Sequence, residues 1–363
     1  MSRDTSANEQ QDWSHLLGAG TQPPKEILAN FVPMTDLSST HLGSLARISK
    51  LVTLHGSQYL GDQDLLDQYY VYLVNGDLVA TFCVTGQRVV YSAANFGMLS
   101  IGDFIENVRE LSAASDAQIL VVDRDELDSM LCWDQVAKSL SLELSAEREL
   151  DEDRDWLNTL LTSNLFHRIP PYNIRQVVDK FSARVVQSGE VIIREGDEGE
   201  ECFIIKEGRA SVTSMPPGAS QPAVLAQLGA GQCFGEEALA CRARRNASVT
   251  METNGVLMAL NKADFNSLMQ EPVVEALEEG EAAALVSSGQ ATWLDVRSQQ
   301  EYDHDHRANA FHLPLHLMSI KTRLMNNKFK YLAYCSTGRR AATAARLLKQ
   351  QGFDVVAVAA PDY

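Results

Sequence analysis

Basic residues are scarce in this chain. Thirty-one Lys and Arg stand against 48 Asp and Glu, a formal net charge of −17 over 363 residues. That deficit argues against nucleic acid as the main partner, because Lys and Arg neutralising phosphates supply most of that affinity. Long apolar runs are missing too. No stretch is apolar enough to span a bilayer, and the opening MSRDTSANEQQDW lacks the core of a signal peptide. The six cysteines, at 83, 132, 202, 233, 241 and 335, form no C-x-x-C pair and show no metal-ligand spacing. No metal is therefore expected, and the expected setting is a reducing cytoplasm in which most thiols act as small buried hydrophobes. Hydrophobic residues make up 45% of the chain, ample for folded domains, and its length calls for two or three of them.

Two stretches look alike. GDQDLLDQYYVYLVNGDLVATFCV and GDEGEECFIIKEGRASVTSM each carry a β-branched and aromatic run, a Gly-containing turn (Asn75-Gly76, Glu207-Gly208) and a returning strand. ILVVDRDELDSML (119–131) and LMALNKADFNSLM (257–269) also match, as a closing strand, a turn and a helix start. An internal repeat of short strands predicts two antiparallel β jelly-roll domains with flanking helices. From about residue 284 the texture changes to strand, helix and strand in alternation (ATWLDV, KYLAYC, RAATAARLLKQQGF, DVVAVAA), which predicts a small α/β domain with a parallel sheet. The expected boundaries are a flexible segment 1–27, a first β domain 28–138, a helical linker 139–160, a second β domain 161–275 and the α/β domain 276–363.

Positive charge concentrates in FGEEALACRARRNASV (234–249). Gly235 lets the backbone approach a ligand, its neighbours' N–H groups suit an anion, and a short helix beginning at Ala238 and Leu239 would point its dipole there. Arg245 offers a planar fork to a phosphate and Glu236 an acceptor to a sugar hydroxyl. The order Phe-Gly-Glu, small apolar, Arg-x-Ala-Ser resembles the phosphate-binding cassette of cyclic nucleotide-binding domains, as in catabolite activator protein and the regulatory subunit of protein kinase A. The resemblance spans about 160–275, including Gly189, Gly196-Asp197, Gly199, Gly208 and LGAGQCFGE. It implies a site made by Phe234, Gly235, Glu236, Glu237, Ala238, Arg245, Asn246, Ala247 and Ser248. Glu236 would bind the ribose 2′-hydroxyl, Arg245 the cyclic phosphate, and Ser248 would influence which nucleotide is chosen. Cyclic AMP (cAMP) is the expected ligand, with cyclic GMP (cGMP) the alternative. Arg242 and Arg244 are expected to be solvated or to add general attraction for the anion. In the first repeat, matching Glu106 to Glu236 and Ile119 to Leu257 leaves the stretch eight residues short, so a degenerate cyclic nucleotide-binding domain without the anion cradle is expected, as a dimerisation, docking or regulatory surface.

The second chemical candidate is YCSTGRRAATAARLL, with Cys335 between a strand and a helix. Backbone N–H groups, a helix N-terminus and two arginines would favour a thiolate and lower its pKa. The loop C-x-x-G-x-R resembles the active-site loop of rhodanese sulfurtransferases, over roughly 284–360. Asp295-Val296-Arg297, Glu301, His306, Ala310 and Pro314 also fall on that pattern, while Asp305-His306-Arg307 departs from its Gly-His-Ile and Asn309 stands where glycine is common. The resemblance implies a persulfide on Cys335, amides of Ser336, Thr337, Gly338, Arg339 and Arg340 around the sulfur, and Arg339 and Arg340 attracting an anionic donor such as thiosulfate.

These readings together imply a bacterial cytoplasmic receptor for a cyclic nucleotide, fused to a rhodanese-like domain. Its ligand would regulate docking to a protein partner or the attached domain, and a homodimer is among the expected assemblies. A cAMP-regulated sulfurtransferase is the alternative. A transcription regulator of the catabolite activator type fits poorly, because EPVVEALEEGEAAALVSSG is acidic and leads straight into the α/β domain.

Overall fold

The computed structural model describes residues 14–146, 169–216, 221–240, 243–270 and 275–359. Its described parts form two compact units: 1–134 with 276–314 and 326–363, and 135–275 with 315–325.

The first repeat comprises β1 (Lys50–Leu54), β2 (Tyr59–Gly61), β3 (Tyr69–Asn75), β4 (Asp77–Phe82), β5 (Arg88–Ser92), β6 (Val108–Ala113) and β7 (Ala117–Asp123). They make two antiparallel sheets, β1-β7-β3 and β2-β6-β4-β5. The continuous apolar run of β3 has a simple cause. Val71 and Leu73 enter the core between the sheets, while Tyr70 and Tyr72 enter a second core against helices on the outside. Alternation with period two thus serves two cores at once.

The second repeat comprises β8 (Ser182–Val186), β9 (Val191–Ile193), β10 (Glu201–Glu207), β11 (Ala210–Ser214), β12 (Ala223–Leu228), β13 (Cys233–Phe234), β14 (Ser248–Met251) and β15 (Gly255–Asn261). Its sheets run β13-β10-β15-β8 and β12-β11-β14-β9. Apart from β13, this is the strand order of the first repeat, strand for strand. The pairing registers also correspond, Leu73 facing Ile119 as Ile205 faces Leu257, and Leu78 facing Ala113 as Ala210 faces Met251. Both turns use a left-handed glycine, Gly76 at φ 85° and Gly208 at φ 102°.

These registers correct the eight-residue deletion expected from the sequence. Tyr91 and Leu228 are equivalent through their pairing with Leu78 and Ala210. Between these points and the shared Ala113 and Met251 the two repeats differ by one residue. Most of the shortfall lies instead in the β4–β5 hairpin, compared with β11–β12. Counting back from Ala113, and across the bulge of β6 between Glu110 and Val108, the position of Arg245 falls at Glu106 or Asn107, neither of them an arginine. The cradle of the first repeat is replaced, not deleted.

Two further expectations change. From Ser14 onward the lead-in is built into the first unit: Ser14–Ala19 is helical, Leu17 packs on the core, and Thr21 and Leu51 exchange backbone hydrogen bonds of 3.0 and 2.8 Å. Residues 1–13 lie outside the described residues. The expected linker helix begins earlier, as α1 (Arg124–Ala146), following directly on β7; residues 147–160 lie outside the described residues.

The C-terminal sheet, in the order β16 (Ala276–Leu277), β20 (Asp354–Val358), β19 (Lys330–Tyr334), β17 (Ala291–Asp295) and β18 (Phe311–His312), is parallel throughout. Trp293, Leu332, Tyr334 and Val358 pack in its core. Asn309 takes φ 60°, the left-handed geometry that explains its standing where glycine is common.

Candidate functional site

In the second repeat, β13 leads through Gly235 into a five-residue helix, α2 (Glu236–Ala240). Gly235 sits at φ 85°, and a Cβ there would lie 2.7 Å from Arg245 Nη1 and 2.8 Å from Ile193 Cδ1. Only glycine fits this turn. Gly199 is equally confined, since its Cβ would meet that of Ala238 at 2.8 Å. Together they let two backbone segments close around one guanidinium.

That guanidinium belongs to Arg245, which is only 8% exposed. Its Nη1 donates to Gly235 O at 2.6 Å and its Nη2 to Glu201 O at 2.5 Å. The backbone is held as firmly, Arg245 N donating to Asp197 O and Gly196 N to Arg245 O, both at 2.8 Å. Among the described residues no carboxylate pairs with Arg245. Burial pulls its pKa down from the ordinary value, partly offset by the anionic groups around it. A guanidinium has five donors, so the two bonds to carbonyls leave others for an incoming anion.

Arg245 lines a cavity of about 270 Å³, close to the lower end of the usual range for small-ligand pockets, about 300–1,000 Å³. Eight of the nine residues expected from the sequence line it: Phe234, Gly235, Glu236, Glu237, Ala238, Arg245, Asn246 and Ala247. Ser248 is not among the lining residues; its hydroxyl accepts from Glu195 N at 2.9 Å. Asn246 donates to the Glu237 carboxylate at 2.7 Å, and Glu236 accepts weakly from the Cys233 thiol at 3.7 Å. Sequence reasoning missed the apolar wall of Val212, Leu225 and Leu228. The signal was present in AVLAQL, whose Val224 and Leu225 stay more than 60% exposed on β12. Arg244 is exposed and donates to Gly196 O at 2.9 Å; Arg242 lies outside the described residues.

The second candidate site closes β19. After Cys335 the chain turns through Gly338, at φ 78°, into α4 (Arg339–Gln350), facing α3 (Gln299–His304) across Arg340. Arg340 is wholly buried and bidentate to Glu301, at 2.7 and 2.8 Å. Glu301 also accepts from Ser298 N, completing a capping box that fixes α3. Burial alone would raise the Glu301 pKa, but the Arg340 charge and its two bonds outweigh it, drawing it down to about 2. Asp295 accepts from Arg297 at 2.8 Å and from the Tyr334 hydroxyl at 2.6 Å, tying the end of β17 to that of β19. His306 is exposed and stacked on Tyr302, with its Nδ1 2.8 Å from Tyr302 O, and pairs with no acidic side chain among the described residues.

The expected activation of Cys335 is not what this arrangement produces. The thiol is buried, and burial followed by the nearby Asp128 carboxylate pushes its pKa up to about 11, against the opposing pull of Arg340 and of the Thr337 and Ala341 amides. Ala341 N approaches the sulfur at 3.4 Å. Nor are the two arginines available to an anionic donor. Arg340 is bound to Glu301 and lies 3.2 Å from Asp128, and Arg339 donates to Asp125 at 3.0 Å. Asp125 and Asp128 belong to the first repeat, and no spacing in the sequence pointed to them.

Neither site includes a metal-binding cluster among the described residues, and no described helix is long and apolar enough to cross a membrane. Comparison with known proteins supplies the family context. The model of the cyclic nucleotide-binding domain matches residues 183–272, and that of the rhodanese-like domain matches 278–360. Over 115 residues the chain is 31% identical to the mouse cGMP-dependent protein kinase 2, which covers 31% of this chain and 15% of the kinase. Over 121 residues it is 34% identical to a cyclic nucleotide-gated potassium channel of Mesorhizobium japonicum, covering 33% of this chain and 32% of the channel. Among solved structures, the regulatory domain of Toxoplasma gondii PKA with cAMP matches 78% of this chain and 98% of its own, at 18% identity and a TM-score of 0.30. The chain thus spans only a fraction of the length of these curated relatives. It carries a cyclic nucleotide-binding domain joined to a C-terminal rhodanese-like domain.

Proposed function

We propose that this protein is a receptor for a cyclic nucleotide, with cAMP as its ligand, and that occupancy of the cavity alters its docking to a protein partner. The observation that carries the reading is Arg245, a buried cation on the cavity wall held by two main-chain carbonyls and lacking a carboxylate partner among the described residues. A singly charged cyclic phosphate is the anion such a site suits, with Glu236 beside it for a ribose hydroxyl. The preference for cAMP rests on Ser248, which does not line the cavity and whose hydroxyl accepts from Glu195 N instead. Titration calorimetry with cAMP and with cGMP tests both statements; binding of neither nucleotide would remove the assignment, and tighter binding of cGMP would reverse the preference.

The first repeat, residues 28–138, is read as a degenerate cyclic nucleotide-binding domain that serves as a docking surface. Its matching strand order and the lack of an arginine at Glu106 or Asn107, where Arg245 would fall, support this reading. A second activity, sulfur transfer, has one observation in its favour: Cys335 sits between strand and helix with the Ala341 amide on its sulfur. In that reaction the Cys335 thiolate attacks the outer sulfur of thiosulfate, forming the persulfide S–S bond and releasing sulfite. Cyanide then takes the outer sulfur as thiocyanate and returns the thiolate. A thiosulfate:cyanide assay on wild type and Cys335→Ser tests it, and equal background rates would end it.

A further inference from the structure

The most heavily charged buried cluster in the first unit lies where α1 meets the Cys335 loop. Asp125, Asp128 and Cys132 are spaced three and four residues apart, so they share one face of α1. Each meets the loop or the helix after it. Asp125 accepts from Arg339 at 3.0 Å. Asp128 accepts from the Thr337 hydroxyl at 2.5 Å and lies 3.2 Å from an Arg340 nitrogen. Cys132 faces the Thr343 hydroxyl at 3.9 Å, one turn further along α4. Asp128 and Arg340 are both fully buried.

We infer that the Cys335 loop is a socket for a carboxylate supplied by the chain itself: Asp128 of α1 fills its anion seat, and α1 holds the loop shut. Of the groups an incoming anion would need, the Thr337 hydroxyl already donates to Asp128 and the Arg340 guanidinium is ion-paired with it at 3.2 Å. Asp125 engages the remaining arginine at the rim. A carboxylate beside the sulfur also disfavours its ionisation, because two anions would then share one buried space. The groups facing Cys335 are Asp128 and Cys132 from α1 and Arg340 from α4, with Glu301 behind Arg340. Arg340 is the one charged side chain among these groups that favours the thiolate, beside the Thr337 and Ala341 amides, and Glu301 and Asp128 divide its charge. Cys335 is therefore a silent thiol while α1 is seated, and departure of α1 uncovers the sulfur, Thr337 and one face of Arg340 together. The inference stands on contacts within the first unit and is independent of the cyclic nucleotide reading.

Alkylation of the full-length chain by iodoacetamide at pH 8, followed peptide by peptide with mass spectrometry, tests it. Cys83 is exposed and serves as the internal standard. A thiol held at about 11 in place of 9.0 has about a hundredfold less thiolate at this pH. Cys335 should accordingly react at least about a hundredfold more slowly than Cys83. Asp128→Asn keeps an acceptor for Thr337 but removes the charge, and should speed Cys335 by about tenfold or more with Cys83 unchanged. Should that variant fail to fold, Arg339→Glu, which lies outside the buried cluster, opposes Asp125 at the exposed rim and should loosen α1 from the loop and accelerate Cys335. Alkylation of Cys335 at the Cys83 rate in the wild type would overturn the inference. So would a folded variant of either kind in which Cys335 stays as slow as before.

Discussion

Replacing Arg245 by alanine separates ligand binding from folding in the second repeat. In the unliganded site the guanidinium bridges Gly235 O and Glu201 O, so its loss leaves two carbonyls short of a donor and removes a desolvated charge. These effects oppose one another, and the net cost to the unliganded domain should be about 1–3 kcal/mol, the scale of unsatisfied buried polar groups. With ligand present nothing opposes the loss. Truncating one partner of a buried charge pair costs about 2–5 kcal/mol, which is roughly 30- to 4,000-fold in Kd. Two assays read the difference. Calorimetry should show at least the thirtyfold weakening. In thermal melts, ligand at about 100 times the wild-type Kd should stabilise the wild type by about 2.7 kcal/mol, and the variant at the same concentration by about 0.9 kcal/mol or less. Arg245→Lys should fall nearer to alanine than to wild type, because one ammonium cannot span both carbonyls and still present a fork. Unchanged affinity in a folded Arg245→Ala would refute the reasoning, since no other described group in the cavity supplies a buried positive charge.

Other consequences of the structure can be measured directly. One cyclic nucleotide should bind per chain in calorimetry, because Glu106 and Asn107 stand where the first repeat would need an arginine; two molecules per chain would contradict that. Gly235→Ala should weaken nucleotide binding by about tenfold or more while the chain stays folded, since its Cβ displaces the Arg245 guanidinium. Gly76→Ala should destabilise the first unit by more than about 1–2 kcal/mol in denaturant melts, the left-handed penalty alone, because its Cβ also meets Ala117 Cα at 2.6 Å. Glu301 has its folded pKa depressed from 4.5 to about 2, so its ion pair with Arg340 contributes full stability above about pH 4.5 and loses it as the pH falls towards 2. In acid titration followed by tryptophan fluorescence, Glu301→Gln should lose that portion of the acid dependence.

The repeat and the parallel sheet were legible because both are written in local patterns. Period-two burial, the turns at Gly76 and Gly208 and the Ala-rich α4 all report on neighbours within a few residues. The cassette was legible for a related reason: Gly235, Glu236 and Arg245 lie within one short segment whose order constrains its geometry. The fate of the first cradle was not. Matching Glu106 to Glu236 by identity ignored strand register, and only the pairing of β4 with β5 and β6 reveals that the shortfall lies mostly in a hairpin. Asp128 was hidden more deeply. In the sequence it is one acid in the first turns of a helix, and its partners Thr337 and Arg340 follow more than 200 residues later. A buried charge pair at that separation leaves no periodicity to read. The same distance explains the error over Cys335, whose own loop favours a thiolate until the helix that covers it is included.

That cover bears on how the C-terminal domain should be handled in the laboratory. A fragment beginning near residue 276 would keep the β16–β20 sheet, α4 and the bond from Arg340 to Glu301, yet lose α1 altogether. Its loop would stand open to water, with Thr337 and one edge of Arg340 free to receive sulfate, thiosulfate or any carboxylate buffer. Sulfur chemistry measured on such a fragment would describe a protein whose stopper had been drawn, and its rate would be an upper bound for the intact chain.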